Sequence, residues 1–183
     1  MRIISGIAKG TKLYTLKGDN TRPTLDRVKE ALFNKINFQL ENAVILDLFA
    51  GSGALGLEAL SRGAKYAYLG ENSYEAANII KQNIQKTKMQ DKTSLIVKDY
   101  NKVLNDLKNI KFDIIFLDPP YNTNYDIEAI IFILENNLLQ DNGLIILETD
   151  SKEKEDKLKK INIKIDDARK YGRVKLLFLS RKG

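Results

Sequence analysis

From residue 43 onward the chain alternates short apolar runs with longer segments whose apolar residues recur at helical spacing. That alternation restricts it to an α/β fold built on a largely parallel sheet. The runs fall at 44–46, 66–69, 94–97, 114–117 and 144–147, each apolar enough to be covered on both faces. Between them, segments 53–62, 73–88, 100–108 and 126–139 read as helices. The last portion, 161–169 and 173–181, reads as two strands joined tightly across Tyr171 and Gly172. Such a turn joins antiparallel neighbours, so one strand of the sheet should run backwards.

Before residue 43 the pattern differs. Arg2-Ile3-Ile4 and the stretch 11–16 read as a small hairpin around Lys9-Gly10. A helix follows, with Thr24 as its expected N-cap and Val28, Leu32, Phe33 and Ile36 as an apolar stripe. With 183 residues, the chain divides on this reading into an extension over 1–40 and one main domain over 41–183. The charged run 150–160 reads as an exposed helix without a function of its own.

There is no cysteine and no histidine, which removes disulfides, thiolate nucleophiles, imidazole bases and the usual zinc ligands together. The chemistry must rest on carboxylates, amides, hydroxyls and backbone. No apolar run approaches the roughly 20 residues of a bilayer span, and no export signal is legible, so a cytoplasmic address is expected. Of the formal charge of +6, nearly all is concentrated at one end. Residues 1–29 hold seven bases (Arg2, Lys9, Lys12, Lys17, Arg22, Arg27 and Lys29) against the two acids Asp19 and Asp26. A basic segment on an otherwise balanced domain fits a phosphate-backbone partner, although a solvated lysine-rich surface would carry the same charges.

Five acids, Asp47, Glu71, Asp99, Asp118 and Glu148, each stand at or just past the end of an apolar run. In a parallel sheet those ends share one edge, where open α/β sheets bind ligands. Clustered carboxylates are costly without a cation or hydrogen-bond donors. S-adenosylmethionine would bring a sulfonium, an ammonium, two ribose hydroxyls and an adenine amine. Mg²⁺ is the competing occupant, and no metal site is assigned; helix capping accounts for at least one of the acids.

The turn Asp47-Leu48-Phe49-Ala50-Gly51-Ser52-Gly53-Ala54-Leu55-Gly56 follows the first run and opens a helix. Gly51 and Gly53 permit a sharp turn and close backbone approach. The spacing Gly51-x-Gly53-x-x-Gly56, with Glu71 beyond it, also satisfies a dinucleotide fingerprint. An acid at Asp47, however, opposes a pyrophosphate and suits a cationic ligand end. Glu71 is placed for ribose hydroxyls and Asp99 for an adenine amine.

Asp118-Pro119-Pro120-Tyr121 is the sharpest motif in the chain. Two prolines can simply end a strand, but that leaves the preceding acid and the following aromatic unexplained. A rigid turn of this kind presents the Asp118 carboxylate and the Pro119 carbonyl as two acceptors beside the flat face of Tyr121. Two acceptors next to a stacking surface suit the NH₂ group of an unstacked nucleobase, held for attack on an activated methyl.

Arg2-Ile3-Ile4-Ser5-Gly6, Thr21-Arg22-Pro23-Thr24, Asp26-Arg27-Val28-Lys29-Glu30-Ala31-Leu32-Phe33, the glycine turn and Asp118-Pro119-Pro120-Tyr121 together resemble the RsmD family over nearly the whole chain. Members are class I methyltransferases acting on the guanine N2 amine of bacterial small-subunit ribosomal RNA. The resemblance implies a seven-stranded Rossmann-like sheet and S-adenosylmethionine as cofactor, with Asp118, Pro119, Pro120 and Tyr121 around the target amine. The cofactor set becomes Thr24, Asp47, Phe49, Ala50, Gly51, Gly53, Glu71, Asn72, Asp99 and Tyr100, with the segment near Arg22 over that pocket. Arg2, Lys9, Lys12, Arg22 and Arg27 are the candidate RNA contacts, and the enzyme is expected to act as a monomer on ribosomal RNA within a small-subunit particle. The motifs also serve any planar NH₂, so adenine N6 or a protein glutamine are rival targets. An oxidoreductase using Gly51 to Gly56 and a non-catalytic RNA-binding module are rivals of another class.

Overall fold

A computed structural model describes residues 1–18 and 23–183, the side chains of Pro23 and Thr24 excepted. Seven strands form one sheet: β1 (Val44–Asp47), β2 (Tyr66–Glu71), β3 (Thr93–Val97), β4 (Phe112–Leu117), β5 (Leu139–Thr149), β6 (Ile163–Tyr171) and β7 (Val174–Arg181). Their spatial order is β3-β2-β1-β4-β5-β7-β6. All pairings from β3 across to β5 are parallel, and β7 is inserted antiparallel to both β5 and β6. The reversed strand expected from the Tyr171-Gly172 turn is therefore β7, with Gly172 at φ +62° where a β-branched or bulky residue would be strained.

Among the described residues six α-helices cover the two faces: α1 (Pro23–Ile36), α2 (Ala54–Ser61), α3 (Tyr74–Thr87), α4 (Tyr100–Asp106), α5 (Tyr125–Glu135) and α6 (Lys152–Leu158). Strand residues alternate between two cores, as a period of two demands. Leu32, Phe33 and Ile36 of α1, Leu57 and Leu60 of α2 and Ile80 of α3 pack on Ile45, Leu69, Ile114, Phe116 and Phe178. The other core joins Val103 and Leu104 of α4, Ile130 and Ile133 of α5 and Leu158 of α6 to Leu46, Ile115, Leu117, Ile145, Leu147 and Leu179. Both faces of the central strands β1 and β4 are thus covered, which is why their runs are continuously apolar. Among the described residues no helix is long and apolar enough to cross a membrane.

Three expectations need adjustment. The amino-terminal hairpin is reduced to one antiparallel bridge, Arg2 to Lys12, flanked by the bonds from Ile3 N–H to Thr11 O (2.9 Å) and from Leu13 N–H to Met1 O (2.9 Å). The first helix begins at Pro23, so Thr24 lies inside its first turn and is not the N-cap. Proline is well suited to that first position, because its missing N–H would have had no helical partner. Finally, α5 stops at Glu135 and β5 begins at Leu139, because Asn137 adopts φ +58° and breaks the helical run.

The segment before α1 is tied down by an ionic cluster. Glu58 of α2, fully buried, accepts hydrogen bonds from Ile4 N–H (2.9 Å), Ser5 N–H (3.1 Å) and Arg62 Nε (2.9 Å). Lys29 Nζ lies 3.1 Å from the same carboxylate and donates to Arg2 O at 2.5 Å. Gly6 then turns at φ +88°, where an added Cβ would fall 1.8 Å from Ser61 O. No side chain fits there. Farther along, Asn83 of α3 accepts from Tyr14 N–H (2.7 Å) and donates to Tyr14 O and Ser52 O (2.9 Å each), clamping this segment to the glycine turn.

Candidate active site

The order β3-β2-β1-β4-β5 reverses between β1 and β4, and a crevice opens at the carboxyl ends of these strands. It consists of two cavities that meet at Phe49, Gly51 and Asp118. One, of about 560 Å³, lies over β2 and β3 and is lined by Glu71, Asn72, Asp99, Tyr100, Tyr125 and the Asp118–Tyr121 loop. The other, of about 750 Å³, lies over β1, β4 and β5 beneath α1 and is lined by Asp47, Ala50, Lys29, Glu148 and the β6–β7 turn with Arg173. These volumes lie in the range of ligand pockets of ordinary size.

The glycine turn shapes the boundary between them. Gly51 at φ +60° and Gly53 at φ +82° take left-handed backbone, and Gly53 closes the turn by donating to Ala50 O at 2.8 Å. Gly51 faces both cavities, whereas Gly53 lines neither; it starts α2 and packs near Leu57 and Leu69. Glu71 holds the turn from the side. Its Oε2 accepts the Gly51 N–H at 2.8 Å and its Oε1 accepts the Ser73 N–H at 3.0 Å. Each oxygen keeps a second lone pair for a ligand hydroxyl. Asp99 occupies the residue before α4 without capping it, so its carboxylate stays exposed to the cavity.

Aromatic rings form one wall of the smaller cavity. Phe49 and Tyr100 have ring centres 5.6 Å apart, and Tyr100 and Tyr125 have theirs 4.6 Å apart. The Tyr100 hydroxyl donates to Glu128, and burial together with that carboxylate holds the phenol firmly protonated. Tyr125 was not legible as a site residue, because only the packing of α5 against α4 brings it to Tyr100.

Asp47 is 1% exposed, and neither carboxylate oxygen has a hydrogen-bond partner of normal geometry. Burial pushes its carboxyl up to about 7; the nearby Gly56 N–H only softens the effect, and the Glu71 charge adds to it. An isolated carboxylate at such depth calls for a cationic ligand. Asp118 is water-accessible through the cavity but enclosed by protein on its other sides. That enclosure, with Glu148 and Asp47 close by, raises its carboxyl well above the usual carboxylate range. Burial raises Glu148 as well. Pro119 is buried while Pro120 and Tyr121 are exposed, Tyr121 by 52%, and Thr123 Oγ1 donates to Pro120 O at 2.8 Å to brace the loop.

The charged candidates divide. Arg2, Lys9, Lys12 and Arg27 are exposed, with Arg2 Nε 3.9 Å from Asp26. Lys29, counted in the sequence among the surplus bases, is instead 3% exposed and structural. Arg22 and the Thr24 side chain lie outside the described residues.

A sheet with its reversed strand inserted next to the edge, a crevice at the switch point and an orphaned acid after β1 define a class I methyltransferase, the class whose methyl donor is S-adenosylmethionine. The solved structure of the candidate methyltransferase yhhF of Escherichia coli superposes with a TM-score of 0.85 at 31% identity, over 100% of this chain and 98% of that one. Residues 1–180 match the family described as Conserved hypothetical protein 95, the RsmD family, and the chain belongs to it. Ribosomal RNA small subunit methyltransferase D of Haemophilus influenzae is 42% identical over 154 residues, covering 82% of this chain and 79% of that protein. The protein of the same name from Escherichia coli K12 is 37% identical over 150 residues, covering 82% and 75%.

Proposed function

We propose that this protein methylates small-subunit ribosomal RNA at the exocyclic N2 amine of a guanine, acting as a cytoplasmic monomer without a metal. The observation that carries this reading is the Asp118–Tyr121 loop, which lines the smaller cavity and puts Asp118 where the two cavities meet. A cofactor lying across both cavities and a base entering beside that loop would face each other at Asp118. S-adenosylmethionine, when bound, supplies an electrophilic methyl carbon.

The residues present suit that cofactor. Asp47 would hold its cationic aminoacyl end, Gly51, Ala50 and Phe49 its middle, and Glu71 its ribose hydroxyls with their spare lone pairs. Asn72, Asp99 and Tyr100 would surround its adenine, with Tyr125 beside them. By the family resemblance Thr24 belongs to the same cofactor set. Toward the substrate, Asp118 and the Pro119 carbonyl accept the two N–H bonds of the amine, which frees the nitrogen lone pair from the ring, and Tyr121 stacks on the base. The Asp118 carboxylate, with its raised proton affinity, is placed to take the proton that N2 sheds on gaining a methyl group. Arg2, Lys9, Lys12 and Arg27 are exposed and would meet phosphates.

Incubation with tritium-labelled cofactor and immature small subunits, followed by nuclease digestion, tests this directly. Label in N2-methylguanosine is expected. Label in N6-methyladenosine, or on glutamine in a ribosomal protein, would overturn it.

A further inference from the structure

Glu148 lies in the larger cavity with nothing assigned to it. β4 and β5 are parallel and in register at Leu117 and Leu147, so Asp118 and Glu148 are the next neighbours along the two strands, about 5 Å apart in backbone spacing. Both line the same cavity, but Glu148 does not reach the smaller one. Among the described residues neither carboxylate receives a hydrogen bond or pairs with a cation, and Arg173 across the cavity forms no ion pair. The unpartnered, fully buried Asp47 opens into the same space.

Guanine presents a ring N1–H directly beside its N2 amine, two donor groups on one edge. Adenine presents a bare N1 lone pair beside its amine. With Asp118 and the Pro119 carbonyl engaged on the amine, one further acceptor is needed one ring position away, on the side toward β5. We propose that Glu148 is the residue that selects guanine, accepting the N1–H while Asp118 holds the adjacent amine. The inference rests on the base-methylating reading above and adds to it the group that chooses the base. A carboxylate facing the adenine N1 lone pair meets like with like, and a site built around a donor rejects an analogue that lacks it. A glutamine side chain offers an amine but no ring N–H. Glu148 is half-buried, so a carboxylate left facing a bare N1 has less water than a surface group to replace the lost donor.

The test uses 2-aminopurine, which keeps the N2 amine but has a bare N1. Small-subunit RNA is assembled by ligation with guanine or 2-aminopurine at the methylated position, and kcat/KM is measured for each. The wild-type protein should favour guanine by about 100-fold or more. In Glu148→Gln the side-chain amide can turn its N–H toward the bare N1, so the preference should fall at least about tenfold through a gain on 2-aminopurine. Because the readout is a ratio within one variant, partial unfolding or a general loss of rate cancels. Calorimetry should show cofactor affinity unchanged within about threefold, in keeping with a contact to the base alone. A preference in Glu148→Gln that moves less than tenfold overturns the assignment, as does a tenfold loss of cofactor affinity. If wild-type protein methylates neither RNA, the guanine-N2 reading itself falls and this inference with it.

Discussion

Two groups of carboxylates, one centred on Glu58 of α2 and one at the carboxyl ends of β1, β4 and β5, behave in opposite ways. Glu58 takes bonds from two backbone N–H groups and from Arg62, with the Lys29 ammonium 3.1 Å away. Asp47 has no partner of normal geometry, and Asp118 and Glu148 have none among the described residues. The cluster around Glu58 is complete without any ligand, and its work is to dock residues 2–8 onto α2. The cluster at the strand ends is incomplete, and burial raises all three of its carboxyls, with neighbouring negative charge adding to the effect at Asp118 and Asp47. Buried charge thus marks structure where donors surround it and marks a ligand site where they are missing.

Breaking the completed cluster should have the largest effect. Glu58→Ala leaves Lys29 buried beside an empty space and should cost about 3–5 kcal/mol in denaturant unfolding. A loss below 1 kcal/mol would erase the contrast. Asp118→Ala is expected to lower the rate of methyl transfer by about 10²–10³-fold, with cofactor affinity measured by calorimetry nearly unchanged. Full activity would remove Asp118 from the chemistry.

Asp47 sharpens the comparison through pH. Its folded pKa, about 7, lies above its unfolded value, so its neutral form suits the fold. The contribution is present in full below the unfolded pKa and is lost as pH rises through about 7. Asp47→Asn should therefore stabilise the ligand-free protein at pH 8 by about 2 kcal/mol, or roughly 4–8 °C in Tm, while abolishing cofactor binding. In the wild type, cofactor affinity should climb with pH up to about 7 and level above it, because a cation needs the carboxylate. An unchanged Tm in the variant would contradict this account. The smallest effect per residue belongs to the surface: neutralising Arg2, Lys9, Lys12 and Arg27 together should reduce the salt dependence of RNA binding by up to roughly 3 logarithmic units of slope. No change in slope would leave them as solvated charge.

Much of this was legible in one dimension. The apolar runs place β1 to β5, and the acids at their ends mark the ligand edge before any coordinates, since parallel strands must bring those ends together. Other assignments were not. Lys29 reads as one more surface base and proves to be buried, because its partner Glu58 is 29 positions away on another helix. The stretch from Arg2 to Gly6 has a recognisable pattern but no visible reason for it. The reason is the carbonyl of Ser61 and the carboxylate of Glu58, which leave room only for backbone. Tyr125 and Arg173 carry no local signal and reach the crevice through helix packing and through the β6–β7 turn.

What the sequence determined alone was the class of fold, the edge that binds and the chemical types available there, because periodicity, turn residues and the absence of histidine and cysteine are local properties. Which acids are satisfied and which stand open was decided by tertiary structure. A carboxylate's character depends on donors supplied by distant segments, and only the folded chain brings them near or withholds them.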